Sequence, residues 1–445
     1  NPRTDLMEKI MQDRDRMLNV SEHSQKVVRA IYGTESVQKA LEMAKLQEPY
    51  AIEEQIEICE VPAPPMKELQ RGELIKEKMR AYGLEAEMDP VGNVIARYKG
   101  SCSEAPVCVI TAHLDTVFGE EVEIKVRRKE GRLYAPGISD DTRGLASMLQ
   151  VIRCLVSNNI KTQGDILFVA TVGEEAEGDL RGVKRLFYTS GIHIDGMLAL
   201  DSADPGRLLW GSTGSKRYKI EFTGPGGHSY LNFGQCPSAT QALCRAGSLL
   251  AELEVPDSPR TTFTIGTMKG GTSVNSIAEH AECEIDLRST DNETLYSLVD
   301  SVLPLFSEGA ELENQRWGIT QEELKVKCKV TPLGHRPAGM QDDSSSVLQA
   351  AGAAMEALGI ELTNYTSAST DQNVPMSMGI PSTTLGTGGR EGLSHSLNEW
   401  YEPYRSFEGP QLALLTVLAL VGIENGPAPM LGIYSGQSQH HYKFQ

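Results

Sequence analysis

Apolar runs alternate with a helical segment between residues 105 and 204. The runs APVCVITAHLD, DILFVATVGEE and GMLALDSAD have the length and composition of buried strands, and TRGLASMLQVIRCLVSNN between the first two has helical spacing. Strands that alternate with helices predict an α/β fold with a doubly wound, mostly parallel sheet. Helix, strand and helix return in residues 344–359, 381–388 and 405–424, so we expect the same domain to continue there.

The character of the sequence changes after residue 213. The segments KRYKIEFTG, SATQALCRAGSLLAELE, RTTFTIGTMKGG, AECEIDLRST, NETLYSLVDSVLPLFSEG and ELKVKCKVTP follow one another as β-α-β-β-α-β. This order predicts an inserted α+β domain of the ferredoxin-like type. We therefore expect an N-terminal helical extension (1–45), a discontinuous α/β domain (46–213 and 332–425), an inserted domain (214–331) and a C-terminal tail (426–445).

Composition excludes several classes of function. A chain of 445 residues exceeds one simple core, so two domains are expected. The net charge of −18 argues against a nucleic-acid partner, and there is no apolar run of about 18 residues to span a membrane. The eight cysteines include no CxxC pair, and the first residues lack the apolar core of a signal peptide. A cytoplasmic protein is expected, with a removed presequence as the open alternative because residue 1 is not Met.

His113 and Asp115 follow the first apolar run. In an extended segment, residues i and i+2 point the same way, so Asp115 is placed to accept a hydrogen bond from the outer ring nitrogen of His113. This arrangement orients a histidine that binds a metal. An isolated His-x-Asp pair is, however, more often structural.

Two pairs of adjacent carboxylates follow turns or strands. Asp140 and Asp141 precede a helix, where helix capping is the alternative role. Glu174 and Glu175 end the next strand, although adjacent glutamates repel each other; here a solvated strand end is the alternative. Successive side chains of an extended segment diverge. Glu175 can therefore bind a metal while Glu174 faces the open coordination position and takes a proton from a water there.

Asp201 and His395 complete a set of potential metal ligands. Asp201 ends the strand GMLAL, and His395 lies in the Gly-rich segment GTGGREGLSHSLNEW, four residues before Glu399. These clusters end successive β-segments, at the edge where open α/β sheets bind ligands. Two imidazoles and three carboxylates, one of them bridging, suit a pair of zinc ions, and such ligands accept manganese and cobalt as well. Because the set contains no thiolate, it is typical of catalytic rather than structural metal sites.

Six ordered motifs resemble the M20 family of metallopeptidases over roughly residues 50–425. They are HLDT, PGISDD, GEEAEG, GPGGHS, GTSVNSIAE and SHSLNE. The family includes peptidase T-type tripeptidases, dipeptidases, glutamate carboxypeptidases and acyl-amino-acid deacylases. The resemblance implies two zinc ions per subunit, a bridging aspartate followed by a cis peptide bond, a glutamate as general base and an aspartate that orients the first histidine. The residues at these positions are His113, Asp140 (bridging), Glu175, Asp201 and His395 as ligands, Glu174 as base and Asp115 as the orienting residue.

The resemblance also implies that the inserted domain is a lid that forms a homodimer. His228 is similar to a lid histidine that reaches the neighbouring subunit's site and stabilises the oxyanion. Asn275 and Arg288 resemble residues that hold a substrate carboxylate, whereas the residues alone predict an exposed strand charge for Arg288. Gly388 and Gly389 are expected to bring backbone N–H groups to the substrate.

The function implied by the resemblance is that of a co-catalytic zinc peptidase acting on short peptides. Family aminopeptidases and dipeptidases tend to carry Asp at the position of Asp201, and carboxypeptidases and deacylases carry Glu there. This favours short peptides with free N-termini as substrates. A carboxypeptidase or an N-acyl-amino-acid deacylase with the same site is the alternative, and an inactive scaffold protein is the remote one. The family usually has Lys soon after the bridging aspartate, whereas this chain reads DDTRG, so the role of Arg143 is open.

Overall fold

The computed structural model describes residues 16–436, so the predicted N-terminal extension and C-terminal tail lie partly outside the described residues. The chain divides into two compact units. The first contains the residues up to Ser212 and those from Gly339 onward, and the second is Thr213–Ala338. Within residues 16–436, none of the helices combines the length and apolar character that crossing a bilayer requires.

Among the described residues, a helix (Thr142–Ser157) lies between the strands Val107–His113 and Asp165–Thr171, as the sequence predicts. The α-helices are α1 (Glu22–Tyr32), α2 (Glu35–Leu46), α3 (Glu48–Cys59), α4 (Leu69–Ala81), α5 (Thr142–Ser157), α6 (Arg181–Lys184), α7 (Ala239–Ala251), α8 (Asn292–Arg316), α9 (Ser346–Leu358), α10 (Asn373–Ser377) and α11 (Glu408–Val421). The strands are β1 (Ala86–Met88), β2 (Val94–Tyr98), β3 (Val107–His113), β4 (Arg127–Lys129), β5 (Arg132–Tyr134), β6 (Asp165–Thr171), β7 (Gly196–Leu200), β8 (Arg207–Ser212), β9 (Gly214–Thr223), β10 (Gly227–His228), β11 (Thr261–Gly270), β12 (Ser276–Ile277), β13 (His280–Ser289), β14 (Lys327–Arg336), β15 (Gly339–Met340), β16 (Asn364–Ala368), β17 (Ser382–Leu385), β18 (Arg390–Gly392) and β19 (Trp400–Glu402).

The first unit contains a nine-stranded mixed sheet. Its order is β1-β2-β6-β3-β7-β17-β8-β15, and β16 also pairs with β8. The central strands β6, β3, β7 and β17 are parallel, whereas β2 and β8 run antiparallel to their neighbours β6 and β17. The sheet is therefore mixed: outside its centre, β16 pairs in parallel with β8, and the predicted mostly parallel sheet is correct in part. The outer strands β1, β15 and β16 are partly exposed, so they lack the long apolar runs that marked the central strands.

Buried clusters cover both faces of this sheet. On β6, Ile166 and Phe168 belong to one cluster, and Leu167 and Val169 belong to a second cluster on the opposite face. The first cluster includes side chains from α1, α2, α5, α9 and α11, and the second includes Val183 of α6. Because both faces are buried, β3, β6 and β7 are largely apolar, and polar side chains follow their carboxyl ends.

The described ends of the chain belong to the first unit. Val28 and Ile31 of α1 and Val37 of α2 are fully buried in the same cluster as α5 and α11. Near the other end, Leu431 is buried in that cluster, and the backbone N–H of Tyr434 donates to a buried aspartate at 2.7 Å. Residues 16–45 thus form part of the core of this unit.

The second unit has the predicted order β-α-β-β-α-β. Its main sheet is antiparallel with the order β11-β13-β9-β14, the strand order of the ferredoxin-like fold, and α7 and α8 pack against it. Because β14 continues to Arg336, the unit ends at Ala338 and not at the predicted residue 331.

Candidate metal centre

Loops at one edge of the parallel strands bring the candidate residues of the first unit together. His113 is the last residue of β3, Glu175 follows β6 and Asp201 follows β7. Asp140 lies just before α5, and His395 lies between β18 and β19. Since β6, β3 and β7 are parallel neighbours, their carboxyl ends meet at the same edge of the sheet.

The Asp140 carboxylate lies between two imidazoles. Its Oδ1 is 3.0 Å from Nε2 of His113, and its Oδ2 is 3.0 Å from Nε2 of His395. The same Nε2 of His395 is 2.9 Å from Oε1 of Glu175. Asp140 is therefore shared by two groups of three residues, His113–Asp140–Asp201 and Asp140–Glu175–His395, whose potential ligand atoms lie within 4.8 Å of one another in each group.

The donor set of these two groups fits divalent cations. Imidazole nitrogens and carboxylate oxygens bind zinc, manganese and cobalt. Each group offers three protein donors, which is the number that catalytic zinc sites use while one coordination position stays open. Carboxylates held this close and largely removed from water also require a positive charge nearby.

Asp140 and Asp141 have different surroundings, and the peptide bond between them is cis, as the resemblance implies. One carboxylate oxygen of Asp141 accepts the N–H of Gly144 at 3.1 Å and caps α5, and the other accepts the backbone N–H of His113 at 2.8 Å. The capping alternative is therefore correct for Asp141, while Asp140 faces the imidazoles.

The Asp115 carboxylate holds the backbone of the glutamate pair. It accepts the N–H of Glu174 at 3.0 Å and that of Glu175 at 2.8 Å. Nδ1 of His113 is 3.0 Å from the backbone carbonyl of Asp115 and 3.7 Å from its Oδ1. The carbonyl therefore makes the closer contact with the ring, and the predicted contact through the carboxylate is the longer one.

Glu174 and Glu175 are both buried, with exposed fractions of 5% and 8%, so they are not a solvated strand end. Together with His113 they form a third group whose potential ligand atoms lie within 4.8 Å of one another. The Glu174 carboxylate thus lies beside the same centre as Glu175.

Neighbouring carboxylates favour protonation of both imidazoles. Burial disfavours the charged form of His113, but the charge of Asp141 and the hydrogen bond with Asp140 together raise its pKa well above the usual value. Hydrogen bonds with Asp140 and Glu175 raise the pKa of His395 to about 11. Burial, followed by the charge of Asp140, raises the pKa of Asp201 to about 7.

Metal binding is expected to release protons. Nε2 of each histidine must lose its proton before it can bind a metal, so below the raised pKa values protons compete with the metal, and the apparent metal affinity increases with pH through the neutral range. At pH 7, zinc titration calorimetry in buffers of different ionisation enthalpy should count about two to three protons released as both groups fill, one from each imidazole and part of one from Asp201. His395→Ala should release about one fewer. A count near zero would contradict protonated imidazoles.

Arg143 links α5 to the Gly-rich loop. It is 1% exposed, and it donates from Nε to the carbonyl of Thr387 at 3.0 Å and from Nη2 to that of Ser406 at 2.7 Å. Gly388 and Gly389 follow with φ values of 87° and 107°, and a Cβ on Gly388 would lie 2.1 Å from the carbonyl oxygen of Ser406. The arginine thus fixes a loop whose close backbone packing requires glycine.

Arg143→Met is expected to lower the free energy of unfolding by about 2–5 kcal/mol, because two buried carbonyls lose charged donors. Urea unfolding of the metal-free protein measures this change. The exposed Arg29→Met is a matched control and should change stability by less than about 0.5 kcal/mol. A loss no larger than that of the control would show that the two carbonyls do not depend on Arg143.

Within the second unit, His228 and Asn275 are neighbours. The N–H of Ser229 donates to the backbone carbonyl of Asn275 at 3.0 Å. Nδ1 of His228 accepts the backbone N–H of Tyr230 at 3.2 Å, which leaves the ring proton of the neutral imidazole on Nε2. His228 can therefore offer a donor at Nε2, as a residue that stabilises an oxyanion must.

Arg288 lies in β13 and is paired within its own strand. Its Nε donates to Oδ2 of Asp286 at 2.6 Å, and its side chain is 39% exposed. These features agree with the strand charge predicted from the residues alone. The role of Arg288 towards a substrate carboxylate stays a prediction.

In the second unit, the carboxylates of a further group of potential ligands form ion pairs with lysines. Glu221, His280 and Glu282 have ligand atoms within 4.8 Å of one another. Lys219 lies 2.9 Å from Glu282, and Lys329 lies 3.8 Å from Glu221. These ammonium groups already neutralise the carboxylates, so we do not expect a cation there.

Glu399 fixes the loop that carries Asp140, a role that the sequence did not predict. It is fully buried and accepts the backbone N–H groups of Gly137, Ser139 and Asp140 at 2.9, 2.8 and 3.0 Å. Burial raises its pKa to about 7. Its place at the end of SHSLNE was visible in the sequence, but the spacing gave no sign of three donors from a loop 259–262 positions away.

The sequence matches a known protein family and part of a curated relative. A sequence model of Peptidase family M20/M25/M40 matches residues 109–416. A putative LysW-lysine/LysW-ornithine hydrolase of Pyrococcus abyssi is 32% identical over 130 residues, which are 29% of this chain and 34% of that protein. The match thus spans about a third of the length of this curated relative.

Two solved structures share the fold over most of the chain. Aminopeptidase PepT from Bacillus cereus superposes with a TM-score of 0.68 at 25% identity, covering 83% of this chain and 98% of that one. A protein of Bacillus subtilis, described as a dinuclear metal-binding peptidase of the M20 family, superposes with a TM-score of 0.61 at 18% identity, covering 85% and 99%.

Proposed function

Because the chain belongs to peptidase family M20/M25/M40, we propose that it is a two-metal peptidase that removes N-terminal residues from short peptides. The observation that carries the proposal is the Asp140 carboxylate, whose two oxygens each lie 3.0 Å from a different imidazole. The likeness to an aminopeptidase over nearly the whole length of that protein supports the choice of free N-termini. Asp201, rather than Glu, at the third ligand position favours the same choice.

We assign His113, Asp140 and Asp201 to one ion, expected to be zinc, and Asp140, Glu175 and His395 to the other. The related fold described as dinuclear metal-binding supports two ions. When bound, the ions supply charge that polarises the scissile carbonyl and acidifies the attacking water, and manganese or cobalt can serve in place of zinc.

The side chains of the first unit orient the reactants and move the proton. Glu174 takes a proton from the attacking water at its carboxylate and delivers it to the leaving amine nitrogen. The carboxylate of Asp115 accepts the backbone N–H of Glu174 at 3.0 Å. This contact fixes the backbone from which the Glu174 side chain extends. Backbone N–H groups of Gly388 and Gly389 are assigned to the substrate.

For the second unit, we assign roles by the resemblance. We expect His228 to offer its Nε2–H to the oxyanion in the neighbouring subunit's site, and Asn275 and Arg288 to hold the substrate carboxylate. The chain is expected to form a homodimer through this unit. His228→Ala should then lower kcat, and Arg288→Ala should mainly raise KM.

The test compares peptides that differ only at the N-terminus. Zinc-loaded protein is mixed with di- and tripeptides bearing free N-termini and with the same peptides N-acetylated, and products are identified by mass spectrometry. The proposal predicts that only free peptides are cleaved and that the N-terminal residue is released. Cleavage of the acetylated set, or release from the C-terminus, would instead indicate a deacylase or a carboxypeptidase. No cleavage of either set by protein holding two metals would favour a scaffold protein.

A further inference from the structure

Glu391 joins the two loops that carry Asp140 and Asp201. Its Oε1 accepts the hydroxyl of Ser202 at 2.8 Å, and its Oε2 accepts the hydroxyl of Ser139. Ser139 directly precedes Asp140, and Ser202 directly follows Asp201. One carboxylate thus binds a direct neighbour of each of two proposed metal ligands.

The backbone of Glu391 is fixed by a small antiparallel sheet. This sheet has the order β18-β19-β5-β4, and Glu391 of β18 pairs with Tyr401 of β19, which in turn pairs with Leu133 of β5. Tyr401 is fully buried, and its hydroxyl donates to the carbonyl of Gly388 at 2.8 Å. The carboxylate therefore reaches the two serines from a rigid support.

The two serine loops are held from their backbones by other residues. The carbonyl of Ser202, which has a φ of 76°, accepts the N–H of Thr387 at 2.8 Å. The backbone N–H of Ser139 donates to Glu399 at 2.8 Å. Glu391 adds the contact that ties the two loops to each other through their side chains.

We propose that Glu391 is a positioning residue for the metal position formed by His113, Asp140 and Asp201. The inference rests on the proposed function, because it takes these three residues as ligands. By holding both loops, Glu391 would reduce the ordering that metal binding must impose on Asp140 and Asp201. The position formed by Asp140, Glu175 and His395 shares only Asp140 with it and depends on Glu391 less.

Stepwise zinc affinities, measured by competition with a chromophoric chelator, test the inference. Glu391→Ala is expected to weaken one of the two steps by about 10- to 100-fold and to change the other by less than about threefold. In a His395→Ala background, which retains the His113 position, Glu391→Ala should still weaken the remaining step. In an Asp201→Ala background, which lacks a ligand of the His113 position, Glu391→Ala should have little effect on the zinc affinity that remains.

A second set of variants separates positioning from general destabilisation. Ser202→Ala should weaken the same step, and it should add nothing in the Glu391→Ala background, because the two residues act through one contact. Glu391→Gln keeps an acceptor but loses the charge, so its effect should be smaller than that of Glu391→Ala. Exposed Glu361→Ala is the control and should leave both affinities unchanged.

The outcomes distinguish this inference from the proposed function. Wild-type protein that binds no zinc would overturn the proposed function and the inference together. Wild-type protein that binds two zinc ions, with affinities that Glu391→Ala leaves unchanged, would overturn the inference alone. A Ser202→Ala effect of equal size with and without Glu391 would also overturn it. Should Glu391→Ala fail to fold, Glu391→Gln and Ser202→Ala decide by the same measurement.

Discussion

Glu174→Gln is expected to lower kcat by about 10²–10⁴-fold while both metal ions stay bound. The amide has the size of the carboxylate but cannot take a proton from the attacking water. Glu174 is 5% exposed, and its backbone N–H is held by Asp115 at 3.0 Å, so the substitution should not displace the side chain. KM should change little, because the lost interaction forms in the transition state. Initial rates and metal content, measured on the same sample, test this.

Glu175→Gln is the matched control for this prediction. Glu175 is the adjacent residue, is similarly buried, and its Oε1 lies 2.9 Å from Nε2 of His395. The Glu175→Gln protein should therefore lose bound metal as well as activity. If the Glu174→Gln protein lost metal to the same extent, Glu174 would be a metal ligand within the group that it forms with His113 and Glu175. A different residue would then have to act as the base.

Three of the five candidate ligands, His113, Glu175 and Asp201, could be predicted from the sequence because they follow its strongest structural signal. β3, β6 and β7 are buried on both faces, so their apolar runs stand out, and the polar residues that end them mark one edge of the sheet. The antiparallel outer strands carried no comparable signal. Their exposed faces admit polar residues, so the sheet was predicted as more parallel than it is.

Residues that support the centre could not be predicted, because their partners are distant in the chain. Glu391 is 252 positions from Ser139, and Arg143 is 244 positions from Thr387. Spacing within a motif carries no information about such contacts. Even the local prediction for His113 was limited, because alternation along a strand places Asp115 nearby but does not decide between its carbonyl and its carboxylate.

Asp140→Ala is expected to abolish tight binding of both metal ions, whereas His395→Ala should remove one. Asp140 faces both imidazoles at 3.0 Å, so its loss leaves each group with two donors. Loss of a residue that only orients a ligand already lowers metal affinity by about 10- to 100-fold. Loss of the ligand itself should therefore lower the zinc affinity of each binding step by at least about 100-fold. Zinc content after dialysis and the zinc-dependent rise in Tm measure this.

Asp141→Asn is the control for Asp140→Ala, since it alters the next residue in the same turn. Asp141 belongs to neither group of potential ligands, and the amide oxygen of asparagine can still accept one of the two backbone N–H groups that Asp141 binds, that of Gly144. Asparagine also caps helices as well as aspartate does, so α5 should still begin at Thr142. This variant should therefore keep two zinc ions. If Asp140→Ala kept one ion at wild-type affinity, the carboxylate would serve a single metal, and the two groups would not form one shared centre.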